Sequence, residues 1–263
     1  MSGKIVYRLS GVSFSYPGAT APAVAGVSAD VFAGEMIALI GPNGAGKSTL
    51  LGLLGGLVQP AAGQVEFFGR PMARWPSRER ARAIAMIRPD LDSVFPLTVF
   101  DVVALGRVPY LGRWGRLTRA DVRAVWEALQ VAGLAGMEFR LIATLSQGER
   151  QRAILARALA QKPKVLLLDE PIAHLDLAYQ LDTLRRLQAL AQEGIAIVSA
   201  LHDINLAAQF FDRVWILSEG KLVADGPPAG VIDGPTVSRV FHIDVRVWFD
   251  PVSRRPQVSI PVR

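Results

Sequence analysis

The sequence predicts an α/β fold, in which short apolar strands alternate with amphipathic helices along most of the chain. The apolar run MIALI, from Met36, leads into the glycine-rich segment GPNGAGKST and then into an apolar helical segment. A second run, VLLLDE from Val165, is continuously apolar up to its two acidic residues. Because strands of a parallel sheet are covered on both faces, such runs predict the central strands of one parallel sheet.

The N-terminal 88 residues predict strands around a loop, followed by two helices and further strands. KIVYRLSGVSFSY and GVSADVFAGE have strand character, and GQVEFFG is another short strand. The helix TLLGLLGGL follows the glycine-rich segment. The basic segment PSRERARAIAMI predicts a helix that runs into a strand.

Residues 89–145 predict a mainly helical insertion. Its clearest helix is TRADVRAVWEALQVAG, where Thr118 and Asp121 form a capping box at the start and Gly133 ends the helix. The predicted buried face consists of four apolar residues at helical spacing, Val122, Val125, Trp126 and Leu129.

The α/β pattern returns after this insertion. A helix follows Ser146, another runs to Gly194, and RVWILSEGKLVADG predicts a hairpin that turns at Glu219 and Gly220. We therefore expect one domain over the whole chain. Its expected parts are a core of 1–88 and 146–225, a helical subdomain of 89–145, and a C-terminal helix and hairpin in 226–263.

Composition indicates a cytosolic protein. Hydrophobic residues make up 51% of the 263 residues and the mean hydropathy is +0.29, which suggests a surface that a partner covers. No segment approaches the ~20 continuous apolar residues of a membrane-spanning helix, and the N-terminus has no signal-peptide apolar region. Since the chain has no cysteine, neither a disulfide framework nor a thiolate metal site is expected.

The net positive charge is compatible with three kinds of surface. With a formal charge of +6 and a pI near 10.0, the protein could bind nucleic acid, sit on an anionic membrane surface, or simply carry a solvated basic surface. The histidines, His174, His202 and His242, are scattered along the chain and do not predict a histidine metal site.

The segment from Gly41 to Ser48 has the spacing of the Walker A phosphate-binding loop. The backbone N–H groups of such a loop surround phosphate oxygens, and the dipole of the following helix favours their negative charge. Lys47 would reach the β and γ phosphates, and the Ser48 hydroxyl would bind Mg²⁺. The alternative is a plain glycine-rich turn, but this loop lies between a predicted strand and a predicted helix, as phosphate binding requires.

Asp169 and Glu170 end a buried strand. Ligands of open α/β sheets bind beyond the carboxyl ends of the strands, so Asp169 is expected near the phosphate loop, where it would hold Mg²⁺ through water. Glu170 would act as the general base on the attacking water. His202 ends another buried strand and could face the same phosphate. Two acids that begin a loop and a buried structural histidine remain the alternatives.

The stretch LSQGERQR, from Leu145, predicts more than a capped helix start. Ser146 and Glu149 have the spacing of a capping box. Gly148 lowers helix propensity and is expected to fill no core. A small residue in a first turn lets an anion approach exposed backbone N–H groups, so Ser146 and Gly148 predict an anion site.

Five motifs in this order resemble the ATP-binding subunits of ABC transporters, and the resemblance covers nearly the whole chain. They are Walker A, the signature at 145–149, Walker B at 165–170, the D-loop ending at Asp176, and the switch residue His202. The resemblance implies a P-loop NTPase of ABC type, with a RecA-like core, an N-terminal antiparallel β subdomain and a helical insertion. The implied ATP-binding residues are Tyr16, Gly41, Pro42, Asn43, Gly44, Ala45, Gly46, Lys47, Ser48 and Thr49.

The resemblance also implies roles for single residues. Tyr16 would stack on adenine, although taken alone it could equally be a core aromatic. Lys47, Glu170 and His202 form the implied catalytic set, with Mg²⁺ as cofactor. In related homodimers the signature of one subunit covers the ATP of the other, in a two-fold interface. The implied signature residues are Ser146, Gln147, Gly148 and Glu149, of which Glu149 is expected to act as the cap.

Three stretches are similar to importer ATPases for ferric siderophores, haem and cobalamin: FPLTVFDVVALGRVPYLG, LHDINLAAQFFDRVWILSEGKLVADGPP and VWFDPVSRRPQVSIP. The implied partners are two membrane-spanning permease chains and, indirectly, a periplasmic or extracellular substrate-binding protein. The implied location is peripheral, on the cytoplasmic face of the inner membrane.

The apolar stretch 94–111 would form a groove that receives a permease helix. In the alternative, its hydrophobic residues pack inside the helical insertion instead. The residues concerned are Phe95, Leu97, Val99 and Val102.

Two functions of other classes remain as alternatives. Related soluble proteins that act on chromosomes or ribosomes carry long coiled-coil insertions or two cassettes, and this sequence has neither, so no nucleic-acid partner is expected. A regulatory subunit that binds ATP without hydrolysis would not need both Glu170 and His202.

The sequence departs from the family at two positions. Family members usually have a glutamine that binds Mg²⁺ where this chain has Pro89, preceded by Arg88, and neither side chain can bind a cation. Asp90 could serve if the register slips by one residue, or Arg88 could contact the γ-phosphate. Gln147 replaces a common glycine. We therefore expect Mg-ATP binding with slower or less tightly coupled hydrolysis.

Overall fold

The computed structural model describes residues 3–88, 96–112, 114–173 and 175–261, and it confirms the predicted α/β class. In chain order, the strands of these residues are β1 (Ile5–Phe14), β2 (Val24–Phe32), β3 (Met36–Ile40), β4 (Ala62–Phe67), β5 (Arg70–Pro71), β6 (Ile84–Ile87), β7 (Val165–Asp169), β8 (Ala196–Ala200), β9 (Arg213–Ser218), β10 (Lys221–Gly226), β11 (Arg246–Phe249) and β12 (Pro256–Ser259).

Helices connect most of these strands. The described α-helices are α1 (Lys47–Leu54), α2 (Ser77–Ala83), α3 (Val99–Ala104), α4 (Arg119–Val131), α5 (Gln147–Ala160), α6 (Leu177–Gln192), α7 (Ile204–Phe210), α8 (Pro228–Val231) and α9 (Gly234–Phe241). Short 3₁₀ segments lie at Met72–Arg74, Leu105–Tyr110 and Ile142–Thr144. Within the described residues, none of the helices has the length and apolar character that crossing a membrane requires.

The central sheet has the spatial order β10-β9-β3-β8-β7-β6. Its strands are parallel, except that β10 runs antiparallel to β9 in the predicted hairpin. The turn residues Glu219 and Gly220 have φ values of 48° and 75°, which match a tight hairpin turn. The parallel arrangement brings the carboxyl ends of β3, β7 and β8 to one edge of the sheet.

The central sheet has a hydrophobic core on each face. Because side chains alternate between the faces along a strand, Met36, Ala38 and Ile40 of β3 belong to one core, while Ile37 and Leu39 belong to the other. Helices α5 to α9 close the first core. The second core lies under α1 and the antiparallel sheet β2-β1-β4-β5, which confirms the predicted N-terminal β sheet.

The predicted helical insertion has a core of its own. Helices α3 and α4 pack on one another and on α5. A buried ion pair joins this part of the molecule: Arg107 Nη2 lies 2.9 Å from Asp121 Oδ1, and both side chains are less than a tenth exposed. Val99 and Val102 are buried in this core, so the alternative that they pack inside the insertion is correct for them. Phe95 lies outside the described residues.

The predicted buried face of α4 is partly wrong. Val125 and Leu129 are buried as expected, but Val122 is half-buried and Trp126 is 38% exposed. Ala124 and Ala128 fill the interface in their place. The physical reason is the close packing of α4 on α5, whose contact surface is rich in alanine. The bulky Trp126 ring lies at the rim, 6.1 Å from the Phe100 ring.

The C-terminal part contains two short helices where the sequence predicted one. Asp233 separates them, because its carboxylate accepts a hydrogen bond of 2.7 Å from the Thr236 N–H and thereby caps α9. The predicted C-terminal hairpin is present as β11 and β12. It packs on α7, where the Asn205 side chain exchanges hydrogen bonds with the backbone of Val258.

Candidate functional site

The glycine-rich loop joins β3 to α1 in a conformation that requires glycine. Gly46 has a φ of 101°, and a Cβ atom there would fall on the carbonyl oxygen of Ala23. As the N-cap of α1, Gly46 provides no side-chain acceptor for the first N–H groups of the helix. Helices α3 to α7, by contrast, each begin at a side-chain cap. The first turn of α1 therefore keeps donors for an anion.

Lys47 lies beneath this loop with its ammonium group directed back towards the loop. Its Nζ donates hydrogen bonds of 2.7 Å to the Gly41 carbonyl and 3.1 Å to the Pro42 carbonyl, and only 7% of the residue is exposed. Burial lowers the pKa of Lys47, and the negative charges of Glu170 and Asp169 oppose that shift. The two acidic residues of Walker B are therefore electrostatic neighbours of the phosphate-loop lysine.

The strand register explains why Asp169 lies near the loop. Ala200 of β8 pairs with Leu39 on one side and with Asp169 on the other. Leu39 and Asp169 are therefore about two strand spacings, or ~10 Å, apart. Asp169 is 8% exposed, and Ser48 is exposed on the first turn of α1.

The donor set of Ser48 and Asp169 fits a hard cation. A hydroxyl and a carboxylate are oxygen ligands, and Mg²⁺ at nucleotides commonly uses few protein ligands together with phosphates and water. The described residues contain no cluster of three or more His, Cys, Asp or Glu side chains, so an all-protein metal cage is absent from this part of the chain. Asp90 lies outside the described residues, and its possible contribution stays a prediction.

Glu170 and His202 meet at the same edge of the sheet. The Nε2 atom of His202 lies 2.5 Å from Oε1 of Glu170. Glu170 has a φ of 53°, and its N–H donates to the Ala200 carbonyl at 3.2 Å. A non-glycine residue in this region costs on the order of 1–3 kcal/mol and often marks a functional site. The turn directs the carboxylate away from the strand and towards the histidine.

Tyr16 lies beside the phosphate-loop helix and is 50% exposed, which excludes the alternative of a core aromatic. Its hydroxyl lies 3.2 Å from Oγ1 of Thr49, within hydrogen-bond distance. Its ring meets the Phe14 ring edge-on at 5.0 Å. An exposed aromatic ring held next to a phosphate loop is suited to stacking on a base.

The predicted capping box at the start of α5 is confirmed. The Ser146 hydroxyl accepts from the Glu149 N–H at 3.3 Å, and the Glu149 carboxylate accepts from the Ser146 N–H at 2.8 Å. This backbone hydrogen bond is the main reason that the pKa of Glu149 lies below its usual value. Ser146 and Gln147 are exposed. Among the described residues, no hydrogen bond or ion pair joins them to the phosphate loop of the same chain.

The expectation that Gly148 fills no core is wrong. Gly148 is buried, and the ring of Tyr179 from α6 covers it. A Cβ atom at Gly148 would lie 2.9 Å from Cγ of Tyr179. No motif in the sequence points to Tyr179. Its only local signal is its place three residues after Asp176, whose carboxylate accepts from the Tyr179 N–H at 3.0 Å and caps α6.

These features define a class of protein: an ATPase with a phosphate loop, a Walker B acidic pair and a separate signature helix on an α/β core. The family model for ABC transporters matches residues 24–173, and the chain belongs to this family. It is the ATPase of an ABC transport system, in which ATP hydrolysis is coupled to transport.

Sequence comparison finds relatives of nearly the same length. The chain is 43% identical over 269 residues to the hemin import ATP-binding protein HmuV of Nocardia farcinica, covering 99% of this chain and 91% of the relative. It is 42% identical over 217 residues to the petrobactin import ATP-binding protein FpuC of Bacillus anthracis, covering 82% of this chain and 80% of the relative.

Solved structures agree with this assignment. A structure described as a metal-chelate type ABC transporter in an inward-facing conformation aligns with a TM-score of 0.86 and 25% identity over 98% of each chain. The dimeric bacterial ABC transporter cassette MJ0796 aligns with a TM-score of 0.74 and 27% identity, covering 84% of this chain and 98% of that one. Cassettes of this fold therefore occur as dimers.

Proposed function

We propose that the protein is the ATP-binding and hydrolysing subunit of an importer for an iron–siderophore, haem or cobalamin-type metal chelate. The cargo class rests on similarity to relatives named for hemin and petrobactin import. The observation that carries the hydrolytic function is the contact of 2.5 Å between Glu170 and His202, at a sheet edge that lies close to Lys47 of α1.

Phosphate binding uses the loop and the first turn of α1. The Lys47 ammonium, which donates to the Gly41 and Pro42 carbonyls of the loop, lies where it can bind the β and γ phosphates. The free N–H groups behind Gly46 donate to phosphate oxygens, and Tyr16 stacks on the adenine. Gly41 to Thr49 thus form the proposed ATP site. Ser48 and Asp169 hold Mg²⁺, which neutralises phosphate charge when bound.

Hydrolysis uses Glu170 as general base. Its carboxylate accepts a proton from the attacking water, and the left-handed backbone at Glu170 orients it for this role. His202 holds the carboxylate through its Nε2 atom and lies where it can contact the γ-phosphate. This arrangement supports hydrolysis rather than nucleotide binding alone.

The second half of each ATP site comes from another copy of the chain. Ser146 and Gln147 are exposed and lack hydrogen bonds to their own phosphate loop, which supports binding to the nucleotide of the partner in a homodimer. Asp176 caps α6 next to this surface. The same two surfaces then meet twice across a two-fold axis.

The helical insertion is the proposed contact with two permease chains. Leu105 and Val108 are 46% and 55% exposed on the 3₁₀ segment 105–110. Arg78 and Arg82 of α2 each donate to the Pro109 carbonyl, at 2.8 and 3.0 Å, and so tie this exposed surface to the core.

The proposed location follows from these contacts. It is peripheral, on the cytoplasmic face of the inner membrane, with a periplasmic or extracellular binding protein as an indirect partner. We further propose the division into a core of 1–88 and 146–225, a helical subdomain of 89–145 and a C-terminal part of 226–263.

Growth on defined iron sources tests this proposal. Deletion of the gene should abolish growth with haem or one ferric siderophore as the only iron source, and wild type should restore it whereas Glu170→Gln should not. Uptake of labelled chelate in proteoliposomes with the permease should depend on ATP. Unchanged growth and uptake with haem and ferric siderophores would contradict an iron-chelate cargo, and uptake of labelled cobalamin that does not depend on ATP would contradict a cobalamin-type cargo.

A further inference from the structure

Two residues on one face of α5 enclose the ring of Tyr179. Gly148 and Arg152 are four residues apart and so lie above one another on the helix surface. The Gly148 backbone contacts the ring, and the Arg152 guanidinium carbon lies 5.2 Å from the ring centroid. The ring is therefore held against the first turn of the signature helix.

The contact at Gly148 has no space for a side chain. A Cβ atom would lie 2.9 Å from Cγ and from Cδ1 of Tyr179 and 3.1 Å from Cδ2, whereas carbon atoms normally separate by about 3.5–4.0 Å. Since Cγ joins the ring to its own Cβ, a ring flip cannot relieve the overlap. Either the whole side chain or the start of α5 must shift.

The backbone of Tyr179 is fixed at its other end. Its N–H donates to the Asp176 carboxylate at 3.0 Å, in the N-terminal cap of α6. Two residues that follow Glu170 are also held, one from each helix. Gln151 of α5 donates to the Pro171 carbonyl at 2.8 Å, and Gln180 of α6 donates to the Ile172 carbonyl at 3.3 Å.

We infer that Tyr179 is a positioning residue for ATP hydrolysis, because its ring sets the position of the signature helix relative to the start of α6 and to the residues directly after Glu170. Gly148 is glycine because the Tyr179 ring occupies the space of its Cβ. The inference rests on the proposed function, in which Ser146, two residues before Gly148, contacts the nucleotide of the partner.

A small displacement of the first turn of α5 affects both the signature contact with the partner's nucleotide and the position of the general base. Moving the first turn of α5 moves Ser146 away from the partner's nucleotide. The same movement pulls, through Gln151, on Pro171, which follows the general base Glu170 directly. A misplacement of about 1 Å in a catalytic arrangement can reduce the rate by about a hundredfold.

A double-mutant cycle tests whether the Tyr179 ring, and not another constraint, is the reason that residue 148 is glycine. Gly148→Ala is made in three backgrounds: Tyr179, Tyr179→Phe, which keeps the ring, and Tyr179→Ala, which removes it. Gly148→Ala should reduce kcat by about tenfold or more in the first two backgrounds, which corresponds to about 1.4 kcal/mol or more. It should reduce kcat by less than about threefold in the Tyr179→Ala background, a factor that corresponds to about 0.7 kcal/mol.

Further readouts distinguish positioning from folding. The affinity of the isolated subunit for ATP should stay the same in all variants, because Lys47 and Tyr16 lie on other elements. Gly230→Ala is the matched control, since Gly230 is also helical and has nothing within 4 Å of its Cβ position. Thermal unfolding of each variant reports stability, and Tyr179→Leu provides a second ring-free background if Tyr179→Ala does not fold.

Each outcome decides the inference. An equal penalty for Gly148→Ala with and without the ring would overturn it, because the glycine would then serve the approach of the nucleotide. No penalty for Gly148→Ala in the wild-type background would also overturn it, and so would a wild-type kcat in Tyr179→Ala alone, because the ring would then position nothing that hydrolysis requires. A wild-type chain without ATP hydrolysis would contradict the proposed function itself, whatever the cycle shows.

Discussion

At the scale of single residues, the site depends on backbone positions that most side chains disfavour. Glu170 has a left-handed conformation that aims its carboxylate at His202, and Gly46 has one that opens the start of α1. Lys47 is buried, and its ammonium group donates to two carbonyl groups of the loop. The backbone of the loop and of the turn after β7 therefore sets where the charged groups of the site lie.

Replacing the general base should separate binding from hydrolysis. Glu170→Gln keeps the shape of the side chain but removes its basicity, and we expect a loss of about 10²–10⁴ in hydrolysis rate. ATP affinity should be retained, and the variant should accumulate as an ATP-bound dimer in size-exclusion chromatography. Glu193→Gln, at an exposed glutamate, is the control. Wild-type turnover in Glu170→Gln would show that another group is the base.

A composite site should be visible in mixed dimers. Ser146→Arg blocks the signature surface, and Lys47→Ala removes the phosphate ligand, so each variant alone has two damaged sites. A mixed dimer has one intact site and one doubly damaged site, and we expect it to hydrolyse ATP faster than either variant alone. ATP-dependent dimerisation is measured in the same samples. Dimers that form without any recovery would argue that two intact sites are required together.

At the scale of elements, buried polar groups fix the helices of the insertion. Arg107 donates to Asp121 at 2.9 Å and to the Ala160 carbonyl at 2.7 Å, and so joins the start of α4 to the end of α5. Asp121 also accepts from Thr118 in the capping box. A single carboxylate thus serves both the helix cap and the packing of the insertion.

Removing this charge should destabilise the protein. Asp121→Asn leaves the Arg107 guanidinium buried without a carboxylate, and we expect a loss of about 3 kcal/mol or more in the free energy of unfolding. Denaturant unfolding measures it. Asp30→Asn is the matched control, because Asp30 pairs with the half-exposed Arg8 and should change stability far less. Equal effects of the two substitutions would contradict this account.

The pH dependence should follow from the same carboxylate. The hydrogen bond from the Thr118 side chain, then those from the Thr118 backbone and Arg107, hold the pKa of Asp121 below its usual value. A carboxyl group whose pKa is lower in the folded than in the unfolded protein stabilises the fold at pH values above its unfolded pKa, which is about 3.9 for aspartate. That contribution is lost as the pH falls through the folded pKa. Asp121→Asn should therefore flatten the acid limb of the melting-temperature curve below about pH 4.

At the scale of the whole molecule, the exposed apolar surface of the insertion is tied to the nucleotide-binding core. Arg78 and Arg82 connect the segment 105–110 to α2, which runs directly into β6 of the central sheet. The Gln161 side chain reinforces this junction, because it donates to the Ile84 carbonyl at 2.6 Å. Direct hydrogen bonds therefore join the segment 105–110 and the end of α5 to α2 and β6.

Charged residues on this surface should impair assembly with the permease. Leu105→Asp or Val108→Asp should weaken association by on the order of tenfold or more, as for an interface residue worth about 2 kcal/mol. Co-purification with the permease and the ATP affinity of the isolated subunit measure the two effects. Val252→Asp is the control, since Val252 is 91% exposed on the C-terminal hairpin. Equal loss of ATP binding would indicate misfolding instead.

The departure at Pro89 lies outside the described residues and stays a prediction. Arg88, just before it, is exposed at the end of β6. The expectation of slower or less tightly coupled hydrolysis therefore rests on chemistry alone, because a proline side chain cannot bind Mg²⁺.

The sequence by itself determined the α/β class, the phosphate loop, the acidic pair and the capping boxes at Thr118 and Ser146. Each of these depends on residues a few positions apart or on the periodicity of one strand, so local spacing contains the information. Local spacing does not contain the reason for Gly148. The sequence identified it as unusual and assigned its small size to an approaching anion.

Only the tertiary structure decided what lies against these local features. It placed the Tyr179 ring over Gly148, brought His202 to Glu170, and turned the alanines of α4 inwards while Trp126 stayed at the rim. These contacts join residues that are distant in the chain. Their geometry follows from how whole helices and strands pack, because shape complementarity across an interface is not encoded in the periodicity of either element.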